Sequence, residues 1–184
     1  MARPKKFSRE GVVEKALPVF WQHGYAQTSL QDLERATGVN KSGLYSEFEN
    51  KEELFAACLR HYIQTRTGEA LLTAEPLGWK NIERYLEVAP STVAGQRGCF
   101  AVSSMRELAI LPRQAREMII EGRKALRRLI KKNVEAENSS MSTDAICDLI
   151  SVFFSGLSIE CNLEAGPPRN RDKVRSFMRT LRAL

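Results

Sequence analysis

Residues 28–54, TSLQDLERATGVNKSGLYSEFENKEEL, decide the fold. Thr28 with Gln31 three positions later reads as a capping box that starts a helix at Ser29, with Leu30, Leu33 and Ala36 as its inward face. Gly38 ends that helix, because a residue without Cβ enters the left-handed region freely, and Val39 plugs the corner. Asn40 caps a short helix, Lys41 to Phe48, that buries Leu44 and Phe48 at a spacing of four. Asn50 and Glu53 then start another, with Leu54, Phe55, Cys58, Leu59, Tyr62 and Ile63 as its buried stripe.

Upstream, Ser8 caps a helix over 8–23 whose stripe is Val13, Ala16, Leu17, Phe20 and Trp21, with Gly24 as its C-cap and Tyr25 folding back onto the apolar face. Helix, glycine turn and helix over 28–48, closed by this preceding helix, make a helix-turn-helix. The second helix of such a pair enters the major groove of DNA, which is about 12 Å wide. Lys41, Ser42, Gly43 and Tyr45 then occupy the outward face, where bulk would obstruct approach to bases and phosphates.

Charge placement carries more than charge balance. The chain of 184 residues is +6 overall, yet residues 1–55 hold eight Lys/Arg against eight Asp/Glu. Arg3, Lys5 and Lys6 form a basic arm that reads either as a solvated tail or as a minor-groove or phosphate contact. The run from Arg123 to Lys132 reads as the solvated face of a long helix, since Leu126, Leu129 and Ile130 point the other way.

Beyond residue 65 the pattern stays helical. Helices are expected over about 80–94, from Phe100 to about Ile110, from Pro112 to about Glu137, over about 143–164, and from about Arg171. The fold class is all-α, with a DNA-binding domain over 1–50 and a helical regulatory and dimerisation domain over 51–184. The 143–164 helix is apolar round most of its circumference, which suits a four-helix contact between two copies through residues 143–184. A C2 pair would set two heads on a palindromic site. Trp79, Tyr85, Phe100, Met105, Met118 and Phe153 are either core packing or the lining of an adaptable ligand pocket.

Other classes find little support. Four cysteines and two histidines offer no paired metal-ligand spacing, and no phosphate loop or nucleophile-base arrangement points to an enzyme or a cofactor. No stretch approaches the roughly 18 uninterrupted apolar residues of a membrane span, and the basic start lacks an apolar segment behind it, so a cytoplasmic protein is expected. Cys99, beside the GQRG break, is the residue on which a thiol-oxidation switch would rest.

The stretch FWQHGYAQTSLQDLERATGVNKSGLYSEFENKEELF, residues 20–55, resembles the TetR family of bacterial transcriptional regulators. The likeness lies in Gly-Tyr, Thr-Ser, the Ala-x-Gly-Val turn, Leu-Tyr-x-x-Phe and the following Lys-x-x-Leu; Gly98-Cys99-Phe100 also resembles a subset of these regulators. The resemblance implies a homodimeric repressor, whose C-terminal domain binds a small-molecule effector that alters the spacing of the two heads. It implies that Lys41, Ser42, Gly43 and Tyr45 face the operator, that Tyr45 and Lys51 touch phosphates, and that Thr28, Ser29 and Gln31 support the DNA backbone.

Overall fold

A computed structural model describes residues 7–88, 95–163 and 170–183. Among these the chain is all-α: α1 Arg9–Gln27, α2 Leu30–Thr37, α3 Lys41–Glu47, α4 Lys51–Thr65, α5 Gly68–Leu72, α6 Trp79–Val88, α7 Phe100–Ser104, α8 Arg113–Glu135, α9 Thr143–Glu160 and α10 Asn170–Arg182. A 3-10 turn, Met105–Glu107, follows α7, so the helix expected to reach Ile110 ends early. Arg3, Lys5 and Lys6 lie outside the described residues.

Local chemistry explains most of the boundaries. Side chains of Ser8, Asn40 and Asn50 each accept the backbone N–H three residues on, at 3.0, 2.9 and 2.9 Å, and so start α1, α3 and α4. The capping box of α2 is displaced by one residue from the expected pair. Ser29 Oγ accepts from Asp32 N at 3.2 Å, and Asp32 Oδ2 accepts from Ser29 N at 3.0 Å. A carboxylate three residues on outcompetes the Thr28–Gln31 pairing because it accepts from both the backbone and the hydroxyl of Ser29. Gly38 adopts φ 72° and returns its N–H to Glu34 O, as a left-handed cap should.

Two hydrophobic cores organise the molecule. The first joins α1, α2, α3 and α4 to Cys99, Phe100 and Val102 and to the start of α8 at Ala115 and Ile119. Its centre is aromatic: Phe55 meets Phe20 and Tyr25 at 5.1 Å and Phe100 at 5.6 Å, while Trp21 stands edge-on to Tyr62. This core runs straight across the expected boundary at residue 50. The second core joins α5, α6, the end of α8, α9 and α10 around Ile82, Leu86, Ile146, Ile150 and Met178, and Phe154 packs against both. Asn133 bridges within the second, donating to Leu72 O at 2.8 Å and accepting from Gly78 N at 3.0 Å.

Some expected buried positions are not buried. Ile63 and Ala36 face solvent, because the inward side of α4 is completed by Ala56 and Ala57 and that of α2 by Thr37. The helix expected over 143–164 ends at Glu160, and its outer side is apolar. Leu149, Val152 (72% exposed) and Ile159 lie on one face at helical spacing, with Leu163 (83% exposed) just beyond the end. No helix among the described residues is long and apolar enough to cross a membrane.

Candidate nucleic-acid interface

Helix α3 has only seven residues, so it stands by tertiary anchoring rather than by intrinsic stability. Leu44 and Phe48 anchor it, both 2% exposed, and the guanidinium of Arg9 covers the Phe48 ring at 4.1 Å. Arg9 also pairs with Glu53 at 2.5 Å and donates to the carbonyl oxygen of Glu47, closing the C-terminal end of α3. At the other end Asn40 caps the helix, and the Glu34 carboxylate accepts the Lys41 amide. A short rigid rod results, held at both ends from beneath.

Its outer surface is formed by Lys41, Ser42, Tyr45 (43% exposed) and Ser46. The Lys41 ammonium lies 5.8 Å from the centre of the Tyr45 ring, so cation and phenol share one face. Ser29 and Gln31 are exposed at the start of α2. Ser46 was not foreseen, although its place one residue beyond Tyr45 on an outward arc was available from helical periodicity.

Three expected contacts sit differently. Thr28 is 1% exposed, and its hydroxyl donates to Gly24 O at 2.6 Å; it locks the end of α1 and presents nothing to a ligand. Gly43 turns its missing side chain inward, where a Cβ would come within 2.6 Å of Val39 Cγ1 and 3.1 Å of Phe7 Cζ. The glycine is therefore accounted for by its packing against Val39 and Phe7. Lys51 Nζ donates to Tyr25 O at 3.0 Å and Thr28 O at 3.1 Å, and it lies 4.5 Å from the Tyr25 ring centre. Two of the ammonium's three N–H groups thus close the C-terminal end of α1.

Asp32 and Glu53 titrate low. Hydrogen bonds from the Ser29 hydroxyl, then the Ser29 amide, hold Asp32 below its ordinary value. The Glu49 amide, then Arg9, does the same for Glu53. A carboxyl depressed in the folded state stabilises that state above its unfolded pKa, and the gain disappears as pH falls through the folded value. The urea midpoint of unfolding is therefore expected to hold steady down to about pH 5 and to fall below about pH 4. A midpoint unchanged down to about pH 3 would show that these caps contribute nothing.

Residues 12–58 match the family model for bacterial regulatory proteins, tetR family. That segment, from α1 into α4, is a TetR-family N-terminal domain. It is 40% identical over 116 residues to the HTH-type transcriptional repressor ComR of Escherichia coli K12, covering 58% of this chain and 54% of that protein, so the match spans about half of ComR. The likeness to solved TetR-family structures extends over nearly the whole chain. A TetR-family regulator from Agrobacterium tumefaciens superposes with TM-score 0.82 at 14% identity, over 94% of this chain and 96% of that one. A cysteine-substituted CifR, a TetR-family regulator solved with 26 bp double-strand operator DNA, superposes with TM-score 0.83 at 22% identity, over 98% of this chain and 100% of that one. At such identities the superpositions show that both halves share the TetR-family fold.

Outside the helix-turn-helix, the six aromatic and methionine residues expected as a pocket divide between the two cores. Phe100, Met105 and Met118 belong to or pack on the first core, and Trp79, Tyr85 and Phe153 belong to or pack on the second. Of the six, only Phe153 lines the groove of about 390 Å³ between α9 and α10, with Gly156, Leu157, Glu160 and Lys173. The cysteines are buried. Burial pushes the Cys58 thiol far up and is the main cause of the rise at Cys147, so neither is poised as a thiolate. Cys99 is 8% exposed and belongs to the first core with Tyr62 and Phe100.

Proposed function

We propose that the protein is a DNA-binding transcriptional regulator, a cytoplasmic repressor that acts as a homodimer on a palindromic operator and responds to a small-molecule effector. The reading rests on one observation: α3 is held from beneath by Leu44, Phe48 and Arg9, while Lys41, Ser42, Tyr45 and Ser46 remain uncovered on its outer side. A side chain exposed on so short a helix contributes nothing to the core, and a cation, a phenol and two hydroxyls together match phosphates and base edges. The relatives support this. ComR is a transcriptional repressor, and CifR was solved with its operator duplex.

Two copies related by a two-fold axis would join through Leu149, Val152, Ile159 and Leu163, whose exposure leaves an apolar face unaccounted for in a single chain. Lys51, with one N–H left over, Ser29 and Gln31 would meet the flanking phosphates.

Fluorescence-anisotropy titration on DNA flanking the gene tests the interface. Tyr45→Phe should raise the operator Kd by roughly 2- to 12-fold, the worth of one hydrogen bond. Lys41→Ala should lower the slope of log affinity against log salt by about one. Unchanged affinity and salt slope in both variants would remove α3 from the interface.

A further inference from the structure

The junction between α1 and α2 is held by side chains from distant parts of the chain. Gly24 leaves helical geometry, with φ 79° and ψ 174°, and the amides that follow it lose their intrahelical partners. The carboxylate of Glu107, in the 3-10 turn after α7, takes both: Tyr25 N at 2.7 Å and Ala26 N at 2.9 Å. A Cβ on Gly24 would come within 2.5 Å of Glu107 Oε2, so the glycine admits this carboxylate. Lys51 takes the Tyr25 and Thr28 carbonyls, and Thr28 closes back on Gly24 O. One residue further, Ser29 begins α2.

We infer that Glu107 is the positioning residue through which the regulatory half of the molecule sets the angle of the DNA-reading head. This deepens, and rests on, the DNA-binding reading above. Helix α7 packs on α1, α4 and α9, and the turn carrying Glu107 packs on α7 and α1. A shift of α9 or α7 therefore reaches the reading head as a pull on two backbone amides at the point where α1 gives way to α2. Helix α3 follows α2, because Val39 and Phe7 grip the Cβ-less face of Gly43. Paired heads must sit about one helical turn of DNA apart, so a small change of angle at this junction removes one head from its half-site. Two charge-assisted bonds to adjacent amides define a direction as well as an attachment, which apolar packing alone does not.

The test compares the whole protein with Glu107→Ala and the nearly isosteric Glu107→Gln, which keeps one acceptor oxygen. Three quantities are read: operator Kd by anisotropy, amide hydrogen exchange over residues 24–30, and the urea midpoint. Glu107→Ala should speed exchange at Tyr25 and Ala26 and weaken operator binding about tenfold or more under conditions where the protein is fully folded, with Glu107→Gln between it and the parent. Should Glu107→Ala fail to fold, Glu107→Gln carries the same comparison. A merely structural carboxylate would lower the urea midpoint and leave the Kd of the folded protein unchanged; that result overturns the inference. Exchange unaltered at Tyr25 and Ala26 would overturn it too. An unmodified protein without operator preference, its exchange protection intact, would instead sink the DNA-binding reading.

Discussion

Phe55→Ala is expected to destabilise the protein by about 3–5 kcal/mol, the usual range for removing a buried phenylalanine. Phe55 is 1% exposed and meets Phe20 edge-on at 5.1 Å with an 86° interplanar angle, as well as Tyr25 and Phe100. These partners come from α1, its kinked end and α7, so one cavity would loosen the reading head and the regulatory half together. For a chain of this size each kcal/mol moves the thermal midpoint by about 2–4 °C, so a fall on the order of 10 °C should follow. Calorimetry should show both halves melting earlier in a single transition. A loss below about 1 kcal/mol, or a transition that splits in two, would mean that the halves do not share this core.

Val152→Glu should act on assembly and leave the fold alone. Val152 is 72% exposed in the single chain, so a carboxylate there meets water until a second copy approaches. In a two-fold contact through α9 it would be buried, unpaired and close to its symmetry mate, which is strongly unfavourable. Analytical ultracentrifugation should find a monomer with an unchanged urea midpoint. Operator affinity should fall by about 100- to 10,000-fold, because each head loses the effective concentration supplied by the other. A Val152→Glu protein that stays dimeric would place the contact elsewhere.

What was legible from sequence divides by distance along the chain. The caps at Ser8, Asn40 and Asn50 and the turn at Gly38 depend on neighbours three or four residues away, and all lie where the pattern put them. The α2 cap sits one residue beyond the expected pair because Thr28–Gln31 and Ser29–Asp32 share the same spacing, and what separates them is the double acceptance by the Asp32 carboxylate together with the bond from Thr28 to Gly24 O. A helical wheel turns Gly43 outward, yet its open side is filled by Val39 and by Phe7, the latter 36 positions back in sequence.

Glu107 carries no local signal at all. It acts on amides 82 and 81 residues away, and the one hint is the glycine at position 24, which also serves as an ordinary helix stop. The pocket residues illustrate the opposite difficulty. Aromatic and methionine side chains fill cores and cavities alike, and only packing distinguishes the two. Trp79, Tyr85 and Phe100 are each at most 8% exposed and belong to the cores.

The central claim is that two copies present α3 to the major groove of a two-fold site, and selection of bound duplexes from a random pool tests it without knowledge of the operator. The expected result is enrichment of an inverted repeat whose half-sites are centred about 10–10.5 base pairs apart, or a multiple of that, and its loss when Lys41 and Tyr45 are both replaced by alanine. A pool that enriches no repeat, or one bound equally well by the doubly substituted protein, would contradict it.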